Sequence, residues 1–374
     1  MAYAHSPVMI IGAGPTGLAA AVLLAQRGIA VRIIDAAAAP SEHSKALAVN
    51  PRTLEVLRGT GVDERIVAAG VRIGRACIHR PGHATSVIEL DQAMPGAYLI
   101  ALSQARTEAL LSEALAATGV TVERGVKLER LEQHASRVEL QLIRTDGSAE
   151  HTTAPLVFGA DGARSQVRES LRIDFPGSSL PEPWLLWDIA LHTSLDPLAA
   201  HILLAPDGLV FVMRLQPGLW RVIGNGNEPL RQLPAGSETG EIQWQSSFRI
   251  GHRVAARASF GRVALGGDAA HIHSPLGARG MNLGIEDAYV FAACAADALA
   301  GNLQRMDDYG TLRHAVHRQV VRRIATLTRI ARGRPLPLRW LRDAVMPHIP
   351  QIPPARAVMA RTACGLDHPL RVEP

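Results

Sequence analysis

The chain has 374 residues, of which 47% are hydrophobic and 20% are charged. This balance is ordinary for a globular protein and excludes a disordered or fibrous chain. Cys77, Cys294 and Cys364 are far apart in the sequence and none belongs to a CxxC pair. The cysteines therefore predict neither a disulfide framework nor a zinc site, and we expect a reducing compartment, the cytoplasm.

The net charge of +5 is concentrated in the C-terminal part, where residues 301–374 contain thirteen Arg and five Asp or Glu. Such a basic face is typical of a surface for anionic lipid or of a solvated helix exterior, and the second is the ordinary case. We expect the C-terminal segment to pack on the protein, so membrane contact is not favoured. No nucleic acid partner is expected, and both a monomer and a homodimer stay open.

The first predicted elements are a strand, a tight turn, a helix and a second strand, in VMIIGAGPTGLAAAVLLAQRGIAVRIID. Gly12, Gly14 and Gly17 form a G-x-G-x-x-G motif, which permits a sharp turn, the approach of a pyrophosphate and close helix packing. Pro15 suits the first helical turn. Asp35 ends the second strand, where a carboxylate can bind both ribose hydroxyls. The pattern predicts a dinucleotide site without deciding between NAD and FAD.

The middle of the chain predicts a helix at about 104–118, followed by strands near 120–123, 137–143 and 150–154. Between residues 183 and 226, apolar runs split by Pro and Gly predict the strands of a further sheet. After residue 300, apolar residues recur at spacings of three and four, which predicts a long amphipathic helix. These residues are Met306, Tyr309, Leu312, Val316, Val320, Ile324 and Leu327.

Two distant stretches share one arrangement of elements. APLVFGADGARSQVRESL predicts a buried strand, the pair Asp161-Gly162 and a helix. GRVALGGDAAHIHSPLGARGMNLGIEDA predicts a strand, the pair Gly267-Asp268, a glycine-rich turn and a helix. An Asp-Gly pair after a strand is usually only a turn, but the repetition together with the first motif is informative.

With these three motifs in this order and spacing, the chain resembles the FAD-dependent aromatic monooxygenases of the para-hydroxybenzoate hydroxylase type, the group A flavoprotein monooxygenases. The resemblance implies an α/β fold, with a Rossmann-like FAD-binding domain interleaved with a substrate domain on a mostly antiparallel β-sheet, and C-terminal helices. It divides the chain into an FAD-binding domain at 1–75, 100–180 and 255–330, a substrate domain at 76–99 and 181–254, and a C-terminal helical segment at 331–374.

The resemblance also implies roles at the flavin ring. Asp268 is expected to accept hydrogen bonds from ribitol hydroxyls, and Pro275 to lie along the flavin face where oxygen reacts. The backbone N–H groups of Gly280, Met281 and Asn282 are expected at flavin N1 and O2. A helix N-terminus stabilises the negative charge that a reduced flavin places there.

The resemblance implies further FAD contacts. Asp161 is expected near the ribitol or the pyrophosphate, with Gly162 permitting close approach. Lys45 stands where the family usually has arginine, and Gln104 matches a family glutamine that contacts FAD. The other expected FAD contacts are Gly12, Gly14, Pro15, Thr16, Gly17, Asp35 and Gly267.

The residues that handle substrate protons are harder to find. Tyrosines are too few for a relay like that of para-hydroxybenzoate hydroxylase, so His192, Arg214 and Arg221 are candidates to titrate or to hold an anion. For each of them a structural or surface role is the more common interpretation. His271 and His273 are two residues apart in a turn with no third ligand nearby, so no metal is expected.

The resemblance implies a monooxygenase that consumes NADPH or NADH as a transient reductant. It would hydroxylate or epoxidise an aromatic or other electron-rich small molecule with dioxygen, through a C4a-hydroperoxyflavin. Two alternatives stay open: a flavin-dependent reductase or dehydrogenase of a lipid or polyketide on the same fold, and a non-enzymatic flavin-binding redox sensor.

Overall fold

The structure is a computed structural model that describes residues 6–42, 46–205, 208–226, 228–333 and 336–373. The strands are β1 (Val8–Ile11), β2 (Val31–Asp35), β3 (Ala48–Val49), β4 (Val71–Ile73), β5 (Arg75–His79), β6 (Ser86–Glu89), β7 (Leu99–Ala101), β8 (Val122–Arg124), β9 (Val126–Gln133), β10 (Val138–Arg144), β11 (Ala149–Ala154), β12 (Val157–Gly159), β13 (Gly177–His192), β14 (Ala199–Ala205), β15 (Gly208–Gln216), β16 (Leu219–Gly224), β17 (Glu238–Val254), β18 (Ser259–Phe260), β19 (Val263–Leu265) and β20 (His271–Ile272).

The α-helices are α1 (Pro15–Ala25), α2 (Pro51–Val56), α3 (Val62–Ala69), α4 (Leu90–Ala93), α5 (Gln104–Ala116), α6 (Gln166–Ser170), α7 (Gly280–Leu299), α8 (Gln304–Arg332), α9 (Leu336–Trp340) and α10 (Pro353–Ala363). Short 3-10 turns lie at Pro229–Gln232, Gly267–Ala269 and Met346–Gln351, and a π turn at Leu341–Val345.

The first sheet has the strand order β18-β19-β12-β1-β2-β8 and is parallel except for the β18/β19 pair. Its central strand β1 is buried throughout, as the apolar run at its position predicts. Alternate side chains of β1 face opposite layers. Val8 and Ile10 pack towards α1 and α7, whereas Met9 and Ile11 pack on the small antiparallel sheet β9–β11.

The second large sheet has the order β20-β17-β13-β16-β15-β14-β5-β6. It is antiparallel except for the β14/β5 pair. One face packs on the small sheet β3-β7-β4 and on α10, and the other packs on the turn that contains Leu230. The expected α/β fold class, with a Rossmann-like sheet and a mostly antiparallel second sheet, is confirmed.

The long C-terminal helix α8 also follows the sequence pattern. Met306, Tyr309, Val320 and Ile324 are buried, whereas Leu327 is 37% exposed. The apolar stripe is therefore shorter than the sequence predicted, and Leu327 lies on the outer face. Among the described residues, no helix is long and apolar enough to cross a membrane.

Alanine substitutions at two glycines of the first turn are expected to differ in their effect on stability. A Cβ at Gly17 would collide with the carbonyl oxygen of Gly12, whereas a Cβ at Gly14 meets nothing within 4 Å. We expect Gly17→Ala to lower the free energy of unfolding of the FAD-free protein by about 2–3 kcal/mol, and Gly14→Ala to change it by less than about 1 kcal/mol. Urea unfolding followed by circular dichroism measures both, and equal losses would contradict the packing described.

Candidate active site

The turn between β1 and α1 leaves an open cradle in front of a helix. Gly12 has a φ of 99°, in the left-handed region, and its N–H donates to the carbonyl oxygen of Ile34 at 2.8 Å. Gly14 precedes the first residue of α1, and no atom lies within 4 Å of the position of a Cβ there. The free N–H groups and positive dipole end of α1 therefore face space suited to a phosphate group.

The carboxylate of Asp35 is fixed beside this turn. Its Oδ2 accepts a hydrogen bond from the N–H of Ala13 at 2.6 Å, and its Oδ1 accepts one from the N–H of Ala37 at 2.8 Å. Arg124 Nη1 lies 3.7 Å from Oδ2. These contacts hold the acid at the end of β2, where the sequence predicts a ribose contact.

The three sequence motifs meet around the first turn. The position of a Cβ on Gly12 lies 2.9 Å from the Cα of Asp161, so the first and second motifs touch. Thr16 in α1 is buried, and its hydroxyl fills the space left by two glycines, Gly267 in the third motif and Gly284 in α7. Stretches separated by more than a hundred residues are thus in direct contact.

Asp161 offers a buried carboxylate oxygen to this region. Its Oδ2 accepts a hydrogen bond from the N–H of Val167 at 3.1 Å, and burial raises the pKa of its carboxyl group. Its Oδ1 is buried and has no partner among the described residues. This buried, unpaired acceptor fits a hydroxyl donor of a ligand. The next residue, Gly162, has a φ of 79° and open space at its Cβ position.

A cavity of about 360 Å³ lies between the third motif, the start of α7 and strand β17. Five of the residues predicted from the sequence line it: Gln104, Asp268, Pro275, Gly280 and Met281. The other lining residues are Ala46, Leu47, Phe248, Arg249, Ile250, Gly251, His271, Ile272, His273, Ser274, Ala278 and Arg279. The structure therefore brings strands β17 and β20 of the second sheet to the same cavity as the third motif and the start of α7.

The side chain of Asn282 has a structural function that the sequence did not indicate. Its Oδ1 accepts hydrogen bonds from the N–H of Asn50 at 3.0 Å and from the hydroxyl of Thr53 at 2.6 Å. Its Nδ2 donates to the carbonyl oxygen of Ala48 at 2.9 Å. The amide thus ties the start of α7 to β3 and α2, and only its backbone is left for the predicted flavin contact.

A buried carboxylate holds the third motif in place. Asp287 Oδ2 accepts from the N–H of Gly267 at 3.0 Å and from His271 Nε2 at 2.8 Å. Its Oδ1 accepts from Arg313 Nε and His317 Nε2, both at 2.7 Å. Burial opposes ionisation, but the imidazole donors and the Arg313 charge together hold the pKa of Asp287 well below its usual value. The only sequence signal for this anchor is a pair of acids in an otherwise apolar helix.

Arg221 supports the cavity from the second sheet. It is buried and binds both carboxylate oxygens of Asp188 at 2.7 Å, across the β13/β16 pair. Its Nη1 donates to the carbonyl oxygen of Ala46, which lines the cavity, at 3.1 Å. Lys45, the predicted pyrophosphate contact, precedes Ala46 and lies outside the described residues.

His192 and Arg214 are not placed at the cavity. His192 is exposed at the end of β13, opposite Glu238. Arg214 shares a face of β15 with Val212, which packs in the core away from the cavity, whereas Met213 packs with cavity-lining residues. Side chains alternate along a strand, and the sequence could not tell which face of β15 is turned to the site. We therefore assign neither residue to the handling of substrate protons.

The low pKa of His273 predicts a loss of stability in mild acid. Burial lowers the pKa of His273 from 6.5 to about 3. The unfolded chain takes up a proton near pH 6.5 while the folded protein does not, so stability falls as the pH decreases from 6.5 towards 3. For His273 alone the loss at pH 5 is roughly 2 kcal/mol. Urea unfolding at pH 7.5 and pH 5 should therefore show a smaller difference for His273→Gln than for the wild type.

The same substitution at His83, an exposed residue, is the control for that measurement. If His273→Gln and His83→Gln leave the same pH dependence of the free energy of unfolding, His273 is not the group responsible.

The Arg221 contact predicts an effect on cofactor affinity. Lysine carries the charge but cannot bind Asp188 with two donors and Ala46 with a third. We expect Arg221→Lys to raise the dissociation constant of FAD roughly tenfold, the equivalent of one lost hydrogen bond. Quenching of flavin fluorescence measures it. Arg214→Lys, the same change on the other face of the sheet, is the control, and an equal effect of both substitutions would contradict the assignment.

Comparison with known proteins places this geometry in a family. A family model described as an FAD binding domain matches residues 5–213 and 231–324. A 6-methylpretetramide 4-monooxygenase of Streptomyces rimosus is 35% identical over 362 residues, which cover 91% of this chain and 63% of that protein. A pentachlorophenol 4-monooxygenase of Sphingobium chlorophenolicum is 31% identical over 341 residues, covering 85% of this chain and 63% of that protein. The chain thus spans less than two thirds of the length of these two relatives.

The solved structures include a p-nitrophenol 4-monooxygenase from Pseudomonas putida DLL-E4, with a TM-score of 0.87. The match covers 97% of this chain and 98% of that one at 23% identity, and it shows that the fold is shared. The cradle at Gly14 and the unpaired oxygen of Asp161 fit the pyrophosphate and the sugar hydroxyls of FAD. The chain belongs to the FAD binding domain family, as its three motifs predict.

Proposed function

We propose that the protein is an FAD-dependent monooxygenase of aromatic or other electron-rich small molecules. One oxygen atom of O₂ enters the substrate and the other leaves as water, while NAD(P)H and a proton are consumed. When bound, FAD supplies the redox chemistry, taking a hydride from NAD(P)H and passing electrons to dioxygen. The observation that carries the proposal is the contact of all three motifs around the turn between β1 and α1, with the third motif also lining the cavity at the start of α7.

The nucleotide end of FAD is assigned to the first turn. Gly12, Gly14 and Gly17 keep the backbone close to the pyrophosphate, with Pro15 and Thr16 forming the first turn of α1. Asp35 binds the adenosine ribose. In the same proposal, Asp161, Gly162, Gln104, Gly267 and Asp268 surround the ribitol and the pyrophosphate.

The ring end of FAD is assigned to the cavity. The backbone N–H groups of Gly280, Met281 and Asn282 begin a helix of 20 residues, and its positive end stabilises an anionic ring. Pro275 lines the cavity beside them and keeps water away from the reacting face. The domain limits given above and the choice between NADH and NADPH stay part of the proposal.

The lining of the cavity on the β17 side supports an aromatic substrate. Phe248 and Ile250 belong to an apolar cluster that also contains Phe211, Met213 and Trp184. Such a surface favours a flat, apolar ring. The relatives named for pentachlorophenol and p-nitrophenol make substituted phenols the first candidates, and the names of the relatives favour oxygenation over the reductase and sensor alternatives.

Labelling with ¹⁸O₂ tests the proposed oxygenation. Purified protein with FAD is incubated with NADH or NADPH, each phenol of a panel that includes 4-nitrophenol and pentachlorophenol, and ¹⁸O₂. We expect the phenol to accelerate NAD(P)H oxidation and the product to contain one ¹⁸O atom. Reduced nicotinamide consumed with no labelled product from any phenol would contradict the proposal.

Two glycine substitutions test whether the first turn binds FAD. Gly14→Ala fills the cradle and is expected to raise the dissociation constant of FAD at least roughly tenfold, because the added methyl group stands where the pyrophosphate approaches. Gly74→Ala is the control, since nothing lies within 4 Å of its Cβ position either. Equal FAD affinities of the two variants, measured by fluorescence quenching, would remove the first turn from the site.

A further inference from the structure

The imidazole of His273 lines the cavity in a fixed tautomer. Its Nδ1 lies 2.8 Å from the carbonyl oxygen of Ser274. A carbonyl oxygen only accepts hydrogen bonds, so Nδ1 carries the hydrogen and donates it. The other ring nitrogen, Nε2, therefore presents a lone pair and can only accept.

That second nitrogen is left without a protein partner. Nε2 of His273 is buried and has no hydrogen bond to any residue that the structure describes. Buried polar atoms are nearly always paired, because an unpaired one loses its hydration without compensation. An unpaired acceptor in the wall of a ligand cavity indicates a donor on the ligand.

The position of the ring indicates where that donor lies. Cε1, the carbon between Nδ1 and Nε2, is 4.0 Å from the position a Cβ would take on Gly280, the first residue of α7. Pro275 follows two residues after His273. The accepting edge of the imidazole is thus next to the part of the cavity assigned to the flavin ring and the reacting face.

His273 stays an acceptor at working pH. Burial is the main cause that lowers its pKa to about 3, and the neighbouring His271, Arg279 and His252 lower it further, while the contact with Ser274 opposes them. A neutral imidazole with so weak a proton affinity does not deprotonate a phenol. Its contribution is to orient a donor.

His271, the other imidazole of the cavity wall, also has a buried nitrogen, Nδ1, without a partner among the described residues. Its Nε2 is bound to Asp287 in the cluster that holds the third motif. Replacing His271 would disturb that anchor, whereas the hydrogen bond that the His273 side chain makes within the described residues is local, to the adjacent Ser274.

We propose that His273 Nε2 accepts a hydrogen bond from an aromatic donor bound in the cavity, either a ring N–H of the isoalloxazine or the hydroxyl of a phenol. This inference rests on the proposed function and adds a ligand-orienting residue to it. The shared chemistry is one N–H or O–H on a flat ring, and a spectroscopic experiment separates the two sources.

The experiment follows Nε2 by ¹⁵N NMR in the 374-residue protein labelled at histidine, at pH 6, where 4-nitrophenol keeps its hydroxyl proton. Spectra are recorded first without FAD, then with FAD, then with FAD and 4-nitrophenol. The resonance is identified by its loss in His273→Leu. A change on adding FAD identifies the isoalloxazine as the donor, and a change only on adding 4-nitrophenol identifies the phenol. A resonance that stays in place through all three states overturns the proposal.

Binding constants give a second readout that needs no turnover. His273→Leu should weaken the ligand identified by NMR roughly tenfold, and His273→Gln, which keeps an acceptor, should restore most of the affinity. His252→Leu is the matched control, because its Nε2 is also buried and unpaired among the described residues but does not line the cavity. Unchanged affinity for both FAD and 4-nitrophenol in His273→Leu contradicts the proposal, even if the wild type incorporates ¹⁸O.

Discussion

The contact between Thr16 and two glycines is the constraint on which the rest of the site depends. A side chain at Gly267 or Gly284 would occupy the place of the Thr16 hydroxyl, so α1 could not approach the third motif and α7. With glycine at both positions, the cradle at Gly14 and the start of α7 are held at a fixed separation. A single elongated cofactor can bridge two helix N-termini only if that separation is fixed.

A second layer of buried charge keeps this arrangement rigid. Asp287 receives donors from Gly267, His271, Arg313 and His317. Breaking a buried ion pair leaves an uncompensated charge, which typically costs about 3–5 kcal/mol. Any displacement of the third motif relative to α7 and α8 therefore carries a large penalty. The loop that presents Asp268 and Pro275 to the cavity is thus anchored from behind by Asp287, Arg313 and His317, none of which lines the cavity.

The sequence predicts those parts of the site that rest on backbone geometry. Gly12 and Gly17 predict the turn because a side chain at either position would collide with the backbone, and Gly14 predicts space for a phosphate group. The Asp161-Gly162 and Gly267-Asp268 pairs follow apolar strands that could be recognised locally. For Arg221 the sequence left a substrate contact and a structural role open, because Asp188 becomes its neighbour only when β13 pairs with β16 and Ala46 is distant in the chain. The orientation of Arg214 depended on which face of β15 is turned to the cavity, a question that alternation alone leaves open.

Two basic side chains that line the cavity, Arg279 and His273, add little positive charge to it. Arg279 lines the cavity, but its guanidinium is buried against Asp367, with 3.2 Å between Nη2 and Oδ1. His273 is kept neutral by burial. In the proposed function, positive potential at the ring comes from Arg249, which also lines the cavity, and from the N-terminus of α7, whose dipole is fixed in direction and does not titrate. A flavin changes its charge during turnover, and in the proposed function the helix dipole stabilises the anionic ring independently of pH, because the backbone groups that produce it do not titrate.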